Sequence, residues 1–279
     1  MTAFLECGRY RFALEGPESR PLVMGILNIT PDSFSDGGKY MALPAAMEQA
    51  ERMIREGVDI IDIGAESTRP GIEPVSLQEE LDRVMPVVEA LKDCGKALSI
   101  DTYKPEVMTA VLAAGADMIN DIAGFCQEAS IRAVAQSRCG LCVMHMQGEP
   151  KTMQVAPQYH DVTCEVTVFL EGQVNRLEAA GVARERICID PGFGFGKTLD
   201  HNLALFQHIG QMRQALQLPL LVGVSRKSMI AAITGKDVSG RLAGNLGAAL
   251  SAVAHGAAII RVHEVGETVD ALKVWCATR

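Results

Sequence analysis

Short apolar runs alternate with longer stretches of helical periodicity along most of this chain. The first run covers 22–27 and stops at Asn28; others cover 58–63, 97–100, 117–121, 141–146, 187–189, 219–224 and 257–262. Runs this short and this rich in Val, Ile and Leu suit strands buried on both faces. Between them the pattern predicts helices over about 44–56, from Ser76 onward, from Lys104-Pro105, over 161–180 and 203–217, and over 269–276. A longer helical region after 224 is interrupted by Thr234-Gly235-Lys236. Ser76 with Glu79 three residues on predicts a capping box, and Pro105 takes a first-turn position where its missing N–H is harmless.

Strict alternation predicts a parallel sheet, and eight strands alternating with helical segments predict its closure into a single α/β (β/α)8 TIM barrel. A doubly wound open sheet is the alternative, weakened because no G-x-G-x-x-G follows the first strand. Residues 4–14 alternate loosely around Cys7-Gly8-Arg9 and predict a short N-terminal β-hairpin within 1–20, able to cover the barrel's bottom. No linker or low-complexity stretch divides the chain, so one domain is expected over 1–279.

The strand ends carry the chemistry. Ile187-Cys188-Ile189 stops at Asp190, and Pro191 cannot continue a ladder because it has no N–H. Alternating glycines then run to Gly196-Lys197 and let the backbone approach a ligand closely. Three more runs end similarly, at Asp101, at Asn120-Asp121 and at Arg261-Val262-His263. Each such residue could simply cap the next helix. Four together favour a shared site, since a barrel builds its site from the ends of several strands.

Composition narrows the class. At 279 residues, 48% apolar and 22% charged, the chain fits one soluble barrel of about 250 residues. A net charge of −8 argues against a nucleic-acid partner while leaving room for a local basic pocket. Several of the eight cysteines lie in apolar segments, as small buried hydrophobes do. Cys139-Gly140-Leu141-Cys142 is formally C-x-x-C, but it runs into strand-like residues and no second pair follows. No basic-then-apolar leader or apolar run near 18 residues is present, so a cytoplasmic protein with reduced thiols and no membrane partner is expected.

Two loops are long and polar, 28–40 and 64–75. Asn28 offers a neutral oxygen to a hard cation, and neighbouring hydroxyls and amides suit phosphate oxygens; a plain surface loop is the other reading. The second loop brings Ser67, Thr68 and Arg69 together, the last with a fork matched to phosphate or carboxylate. Ser225-Arg226-Lys227 sets two cations at a helix start after the seventh strand, a frequent phosphate position in this fold.

In these segments the chain resembles the dihydropteroate synthases, which join a pterin pyrophosphate to p-aminobenzoate. The matching stretches are 28–38, 62–71, 99–102, 119–121, 144–148, 190–197, 225–227 and 261–263, from first strand to last. The resemblance implies a (β/α)8 barrel, a pterin ring held by Asp101, Asn120, Asp190 and Lys227, and Mg²⁺ on Asn28. It implies Arg261 and His263 on the pyrophosphate, Thr68 in the substrate site, and Phe195 with Ser225 beside the p-aminobenzoate pocket. Lys227, Arg261 and Asp101 take the catalytic assignments, and the family is usually a homodimer. The chemistry agrees: a carboxylate accepts the paired donors of a pterin's amino-pyrimidinone edge, an amide supplies donor and acceptor together, and Lys227 donates to the carbonyl. An arylamine attacks as the neutral species, so positioning and electrostatics suffice without a strong base. His145 is equally a packed polar residue or a ligand.

Rival readings are a corrinoid-type pterin-binding methyltransferase domain and a catalytically silent paralogue. The first has no use for the Asn28 loop or for Ser225-Arg226-Lys227, and the intact loops argue against the second. A Schiff-base aldolase would want its lysine inside a strand, whereas Lys227 follows one.

Overall fold

The computed structural model describes residues 3–16, 19–29, 39–66 and 73–278. Thr68, Arg69, Phe34 and most of the two long loops lie outside the described residues. Strands β1 (Phe4–Cys7) and β2 (Tyr10–Ala13) form an antiparallel hairpin. The main sheet contains β3 (Leu22–Asn28), β4 (Ile60–Gly64), β5 (Ala97–Asp101), β6 (Met118–Asp121), β7 (Gly140–Met144), β8 (Ile187–Asp190), β9 (Leu221–Val222) and β10 (Ile259–Val262). All pair in parallel, and β10 returns to β3. A parallel bridge between Ile189 and Leu220 joins β8 to the start of β9 and closes the ring. Helices α1 (Lys39–Glu56), α2 (Leu77–Leu91), α3 (Pro105–Ala114), α4 (Glu128–Ala135), α5 (Val162–Ala179), α6 (Leu199–Gln207), α7 (Ile209–Leu216), α8 (Ser228–Thr234), α9 (Leu242–Ala254) and α10 (Val265–Ala277) complete the eight-stranded barrel.

Side chains on a strand alternate between faces, so each barrel strand contributes to two cores. Val23, Ile61, Leu98, Ile119, Leu141, Ile189 and Ile260 face outward into the layer shared with the helices. Met24, Ile60, Ala97, Met118, Cys142, Cys188, Leu221 and Ile259 face inward and fill the lower barrel. Leu5 and Cys7 of the hairpin join that inner cluster from below, each fully buried. The hairpin is therefore a plug. Arg9 locks it with a two-pronged ion pair to Asp117, Nε to Oδ1 and Nη2 to Oδ2, both at 2.9 Å.

Two positions further along the strands the inner face turns polar: Asp62, Ser99, Asn120, Asp190 and Arg261. Two positions further again lie Asn28, Gly64, Asp101, Ser225 and His263 at the rim. The barrel thus carries a polar layer seated on an apolar floor.

Local departures from the expected elements have simple causes. Helix α1 begins at Lys39, so Pro44 lies inside it rather than at its start. The segment expected as one helix over 203–217 is α6 and α7, parted at His208, whose ring bonds the Ala204 carbonyl at 2.6 Å. Strand β9 is only two residues long, with Leu220 bridging to Ile189 just ahead of it. Cys139 faces the outer core and Cys142 the inner one, so the C-x-x-C pair shares no site. Among the described residues no helix is long and apolar enough to cross a membrane.

Candidate active site

The polar layer is organised by Asp62, fully buried in β4. It accepts from Ser99 Oγ at 2.6 Å, from Arg261 Nε at 2.6 Å and from Asn120 Nδ2 at 3.3 Å. Arg261 also reaches upward, Nη2 donating to Asp101 Oδ2 at 2.8 Å. Its guanidinium therefore spans two carboxylates inside the barrel, which fixes its plane. The amide of Asn120 is held by its nitrogen, while its Oδ1 is buried with no partner. A buried acceptor left alone costs about 1–3 kcal/mol, and such exceptions ask for a ligand or ordered water.

Asp190 ends β8 on the same inner face. Gly192 N donates to its Oδ1 at 2.7 Å. Position 192 must be glycine: its φ is +69°, and a Cβ there would meet the His145 carbonyl oxygen at 1.8 Å. This tight turn holds Asp190 and sends the following loop back over the barrel mouth. Lys197, 3% exposed, ties the loop down by donating to the Gly192 and Phe195 carbonyls at 3.0 Å each. It also meets His145 Nδ1 at 2.9 Å. Burial, with Lys197 beside it, lowers His145 to about 3. Its ring packs edge-on against Phe169, with the ring centres 4.9 Å apart.

Lys227 reaches the mouth from the turn before α8. Its Nζ donates to the Phe193 carbonyl at 2.5 Å and lies 4.0 Å from the centre of the Phe195 ring. Burial lowers this ammonium to about 8, against the pull of Asp190. Burial likewise raises Asp190 above the ordinary carboxylate range, with Gly192 N–H and Lys227 opposing. Asp101 is also raised by burial, while Arg261 holds it down. A ligand that takes hydrogen bonds from Lys227 and gives them to Asp190 needs the first protonated and the second ionised. Its affinity should therefore fall on both sides of neutrality. Above pH 8 the loss follows deprotonation of Lys227, up to about eightfold between pH 7.5 and 9. Calorimetry across that range checks it, and Lys227→Met should flatten the alkaline limb.

At the rim, Ser225 Oγ lies 3.0 Å from His263 Nδ1 and 3.1 Å from Glu264 Oε2. The carboxylate can only accept, so the hydroxyl gives its proton to Glu264 and His263 Nδ1–H donates to Ser225. Arg226 departs from expectation. Its φ of +60° turns it outward, where Nε pairs with Glu264 Oε1 at 2.7 Å, so Lys227 alone of the basic pair faces the mouth. Asp121, beside Asn120, accepts from Ala123 N and Phe125 N at 2.8 Å each, the structural role that strand-end carboxylates often have.

The structure thus gathers Asp101, Asn120, Asp190, Lys227, Arg261, Phe195, Ser225 and His263 at one end of the barrel, with Asn28 at its rim. Sequence reasoning gave no role to Asp62, Ser99 or Lys197. A carboxylate inside the apolar run Ile60-Ile61-Asp62-Ile63 was the available signal for the first.

A barrel whose mouth joins carboxylates, an unpartnered amide oxygen and a half-buried lysine defines a class, and residues 24–263 match the family described as pterin binding enzyme. The chain belongs to that family. Within it the similar proteins are dihydropteroate synthases. The Escherichia coli K12 enzyme is 50% identical over 261 residues, covering 93% of this chain and 92% of that protein. The Burkholderia cenocepacia dihydropteroate synthase complexed with 7,8-dihydropteroate superposes with a TM-score of 0.89 at 54% identity, covering 99% of this chain and 96% of that one. The Xanthomonas albilineans enzyme with 4-aminobenzoic acid gives 0.91 at 45% identity, covering 99% and 98%.

Proposed function

We propose that this chain is a dihydropteroate synthase, a transferase that condenses 6-hydroxymethyl-7,8-dihydropterin pyrophosphate with p-aminobenzoate to give 7,8-dihydropteroate and pyrophosphate. The observation that carries the reading is Asn120 Oδ1, a buried acceptor without a partner in the layer that also holds Asp190. A pterin edge offers the donor that Asn120 Oδ1 lacks and further donors for Asp190. Asp190 accepts the ring N–H and amino group, and Asn120 accepts a further donor. Lys227 donates a hydrogen bond to the pterin carbonyl. Arg261, fixed by Asp62 and Asp101, presents a guanidinium face to the ring.

In the reaction the pterin methylene carbon loses its bond to pyrophosphate oxygen and gains one to the arylamine nitrogen, which then releases a proton. Electron release from the pterin stabilises the positive carbon, and the carboxylates of Asp101 and Asp190 stabilise it electrostatically. His263 and Ser225 lie where the departing pyrophosphate would be held, and Phe195 borders the aryl ring. Arg261, held by Asp62 and Asp101 through Nε and Nη2, joins His263 on the pyrophosphate in this reading. His263→Ala should accordingly weaken pyrophosphate by about tenfold, a charged hydrogen bond's worth, and a phosphate-free pterin little. Equal losses for both would indicate a general structural defect.

The residues at the rim fit Mg²⁺ arriving with its substrate. Gly64 has no Cβ where one would lie 3.4 Å from Asn28 Oδ1 and 3.9 Å from Asp101 Oδ2, which leaves a small cradle between two oxygens. Among the described residues no cluster of three acidic, His or Cys side chains could hold a metal by itself. Such a sparse oxygen set suits an ion that keeps its waters and phosphate ligands. When bound it would neutralise charge on the leaving pyrophosphate.

The deciding assay is pyrophosphate release that requires both substrates together; release with the pterin alone would leave a hydrolase instead. The loops at 28–40 and 64–75 also predict ordered binding, with p-aminobenzoate taken up after pyrophosphate and Mg²⁺. Its affinity should be measurably higher with both present, and equal titrations with and without them would end the ordered scheme. We place the enzyme in the cytoplasm, in keeping with its eight free cysteines. Pairing with a second copy is supported by exposed Ile233, Val238 and Leu242 on the consecutive segments from α8 to α9.

A further inference from the structure

We propose that the arginine-lined cavity at the N-terminal end of the barrel strands is a second binding site, for a small phosphate-bearing anion. The cavity holds about 430 Å³ and is lined by Glu6, Gly8, Arg9, Tyr10, Arg11, Arg138 and Arg186. It lies where the hairpin turn meets the starts of β7 and β8. Arg186 immediately precedes β8, and Asp190 ends that strand, so the cavity and the active site are at opposite ends of one strand, roughly 13 Å apart.

The case rests on Arg186. It is 6% exposed, and every acceptor it meets is neutral. Nε donates to the Cys139 carbonyl at 2.8 Å, Nη1 to Ala135 O at 3.3 Å, and Nη2 to Val134 O at 3.0 Å and Ser137 Oγ at 3.3 Å. Two of these carbonyls end α4, whose dipole supplies roughly half a negative charge. That orients the guanidinium without neutralising it. Buried charges are ordinarily paired, because the desolvation cost of a lone ion is several kcal/mol. Among the described residues Arg186 has no such pair.

Its neighbours increase the imbalance. Arg9 is neutralised by Asp117. Arg11 lies 3.4 Å above the Phe4 ring, and neither it nor Arg138 joins an ion pair among the described residues. Against these cations the lining contains the single carboxylate of Glu6, so the cavity keeps an excess of two positive charges. This occurs in a chain of net charge −8. Arginines drawn from a hairpin strand, an inter-element turn and a strand entry approach from different directions. A tetrahedral phosphate offers oxygens to all of them, whereas a planar carboxylate satisfies one fork. The volume, within the range of small-molecule pockets, leaves room for an organic body beside the phosphate, and Tyr10 supplies an aromatic wall.

Calorimetric titration with inorganic phosphate and with tripolyphosphate tests the site, using the wild type, an Arg11→Ala/Arg138→Ala double variant and His263→Ala. Both arginines are exposed, so the double variant should fold, and its turnover should match the wild type. The wild type should show two classes of tripolyphosphate site. The double variant should weaken one class by at least about tenfold, and His263→Ala should leave that class intact. A single class in the wild type would overturn the proposal. So would superimposable titrations of wild type and double variant, or a class abolished by His263→Ala as well.

Discussion

Asp190→Asn should weaken pterin binding by about 1.5–3 kcal/mol, roughly 10- to 150-fold, in a protein that still folds. The substitution keeps the shape of the side chain and an oxygen able to accept from Gly192 N, which lies 2.7 Å from Oδ1. What changes is the other end. An acceptor facing a pterin's paired donors becomes an NH2, so donor meets donor. Because burial already raises the Asp190 carboxyl, removing its charge relieves desolvation in the empty protein. Stability should accordingly hold or rise while affinity falls. Calorimetry with a pterin and a thermal melt on the same preparation measure both. Undiminished affinity in the folded variant would remove Asp190 from the pterin site.

Asp62→Ala should have the largest effect on stability. The fully buried carboxylate is the common acceptor of Arg261, Ser99 and Asn120. Its loss leaves Arg261 half-paired and two further donors unsatisfied. Breaking a buried ion pair from one side costs about 3–5 kcal/mol. Set against a total of about 5–15 kcal/mol for a domain, that is a large share. The melting temperature should fall by roughly 6–20 °C, at about 2–4 °C per kcal/mol for chains near this size. Asp62→Asn, which keeps an acceptor for one partner, should fall less. A melt within about one degree of wild type would mean that Arg261 and Asn120 hold their places without it.

The barrel was legible because its signal is distributed: every strand is a separate apolar run, and errors at single boundaries leave the alternation intact. The end of β8 was legible for a local reason, since a carboxylate followed by proline and glycines marks where a ladder must stop. Asp62 was not legible, because its meaning depends on Arg261, 199 residues away in sequence. Neighbouring residues can also part company. Arg226 and Lys227 read as one basic pair, yet the positive φ of Arg226 sends it to Glu264 while Lys227 turns inward over Phe195. Thr68 lies outside the described residues, so its place rests on the resemblance alone.

The plug formed by Leu5 and Cys7 bears on the chemistry at the far end of the barrel. A closed sheet is a tube, and a tube open at both ends would be wetted from both. With its base stoppered, the polar layer has solvent on one side only, and a pterin seated there shuts that side. The charges around Asp62 and Asn120 then act through a medium of low polarisability, where each is felt several times more strongly than in water. The hairpin sits at the opposite end of the barrel from the polar layer, yet it works as electrical insulation for that layer's charges.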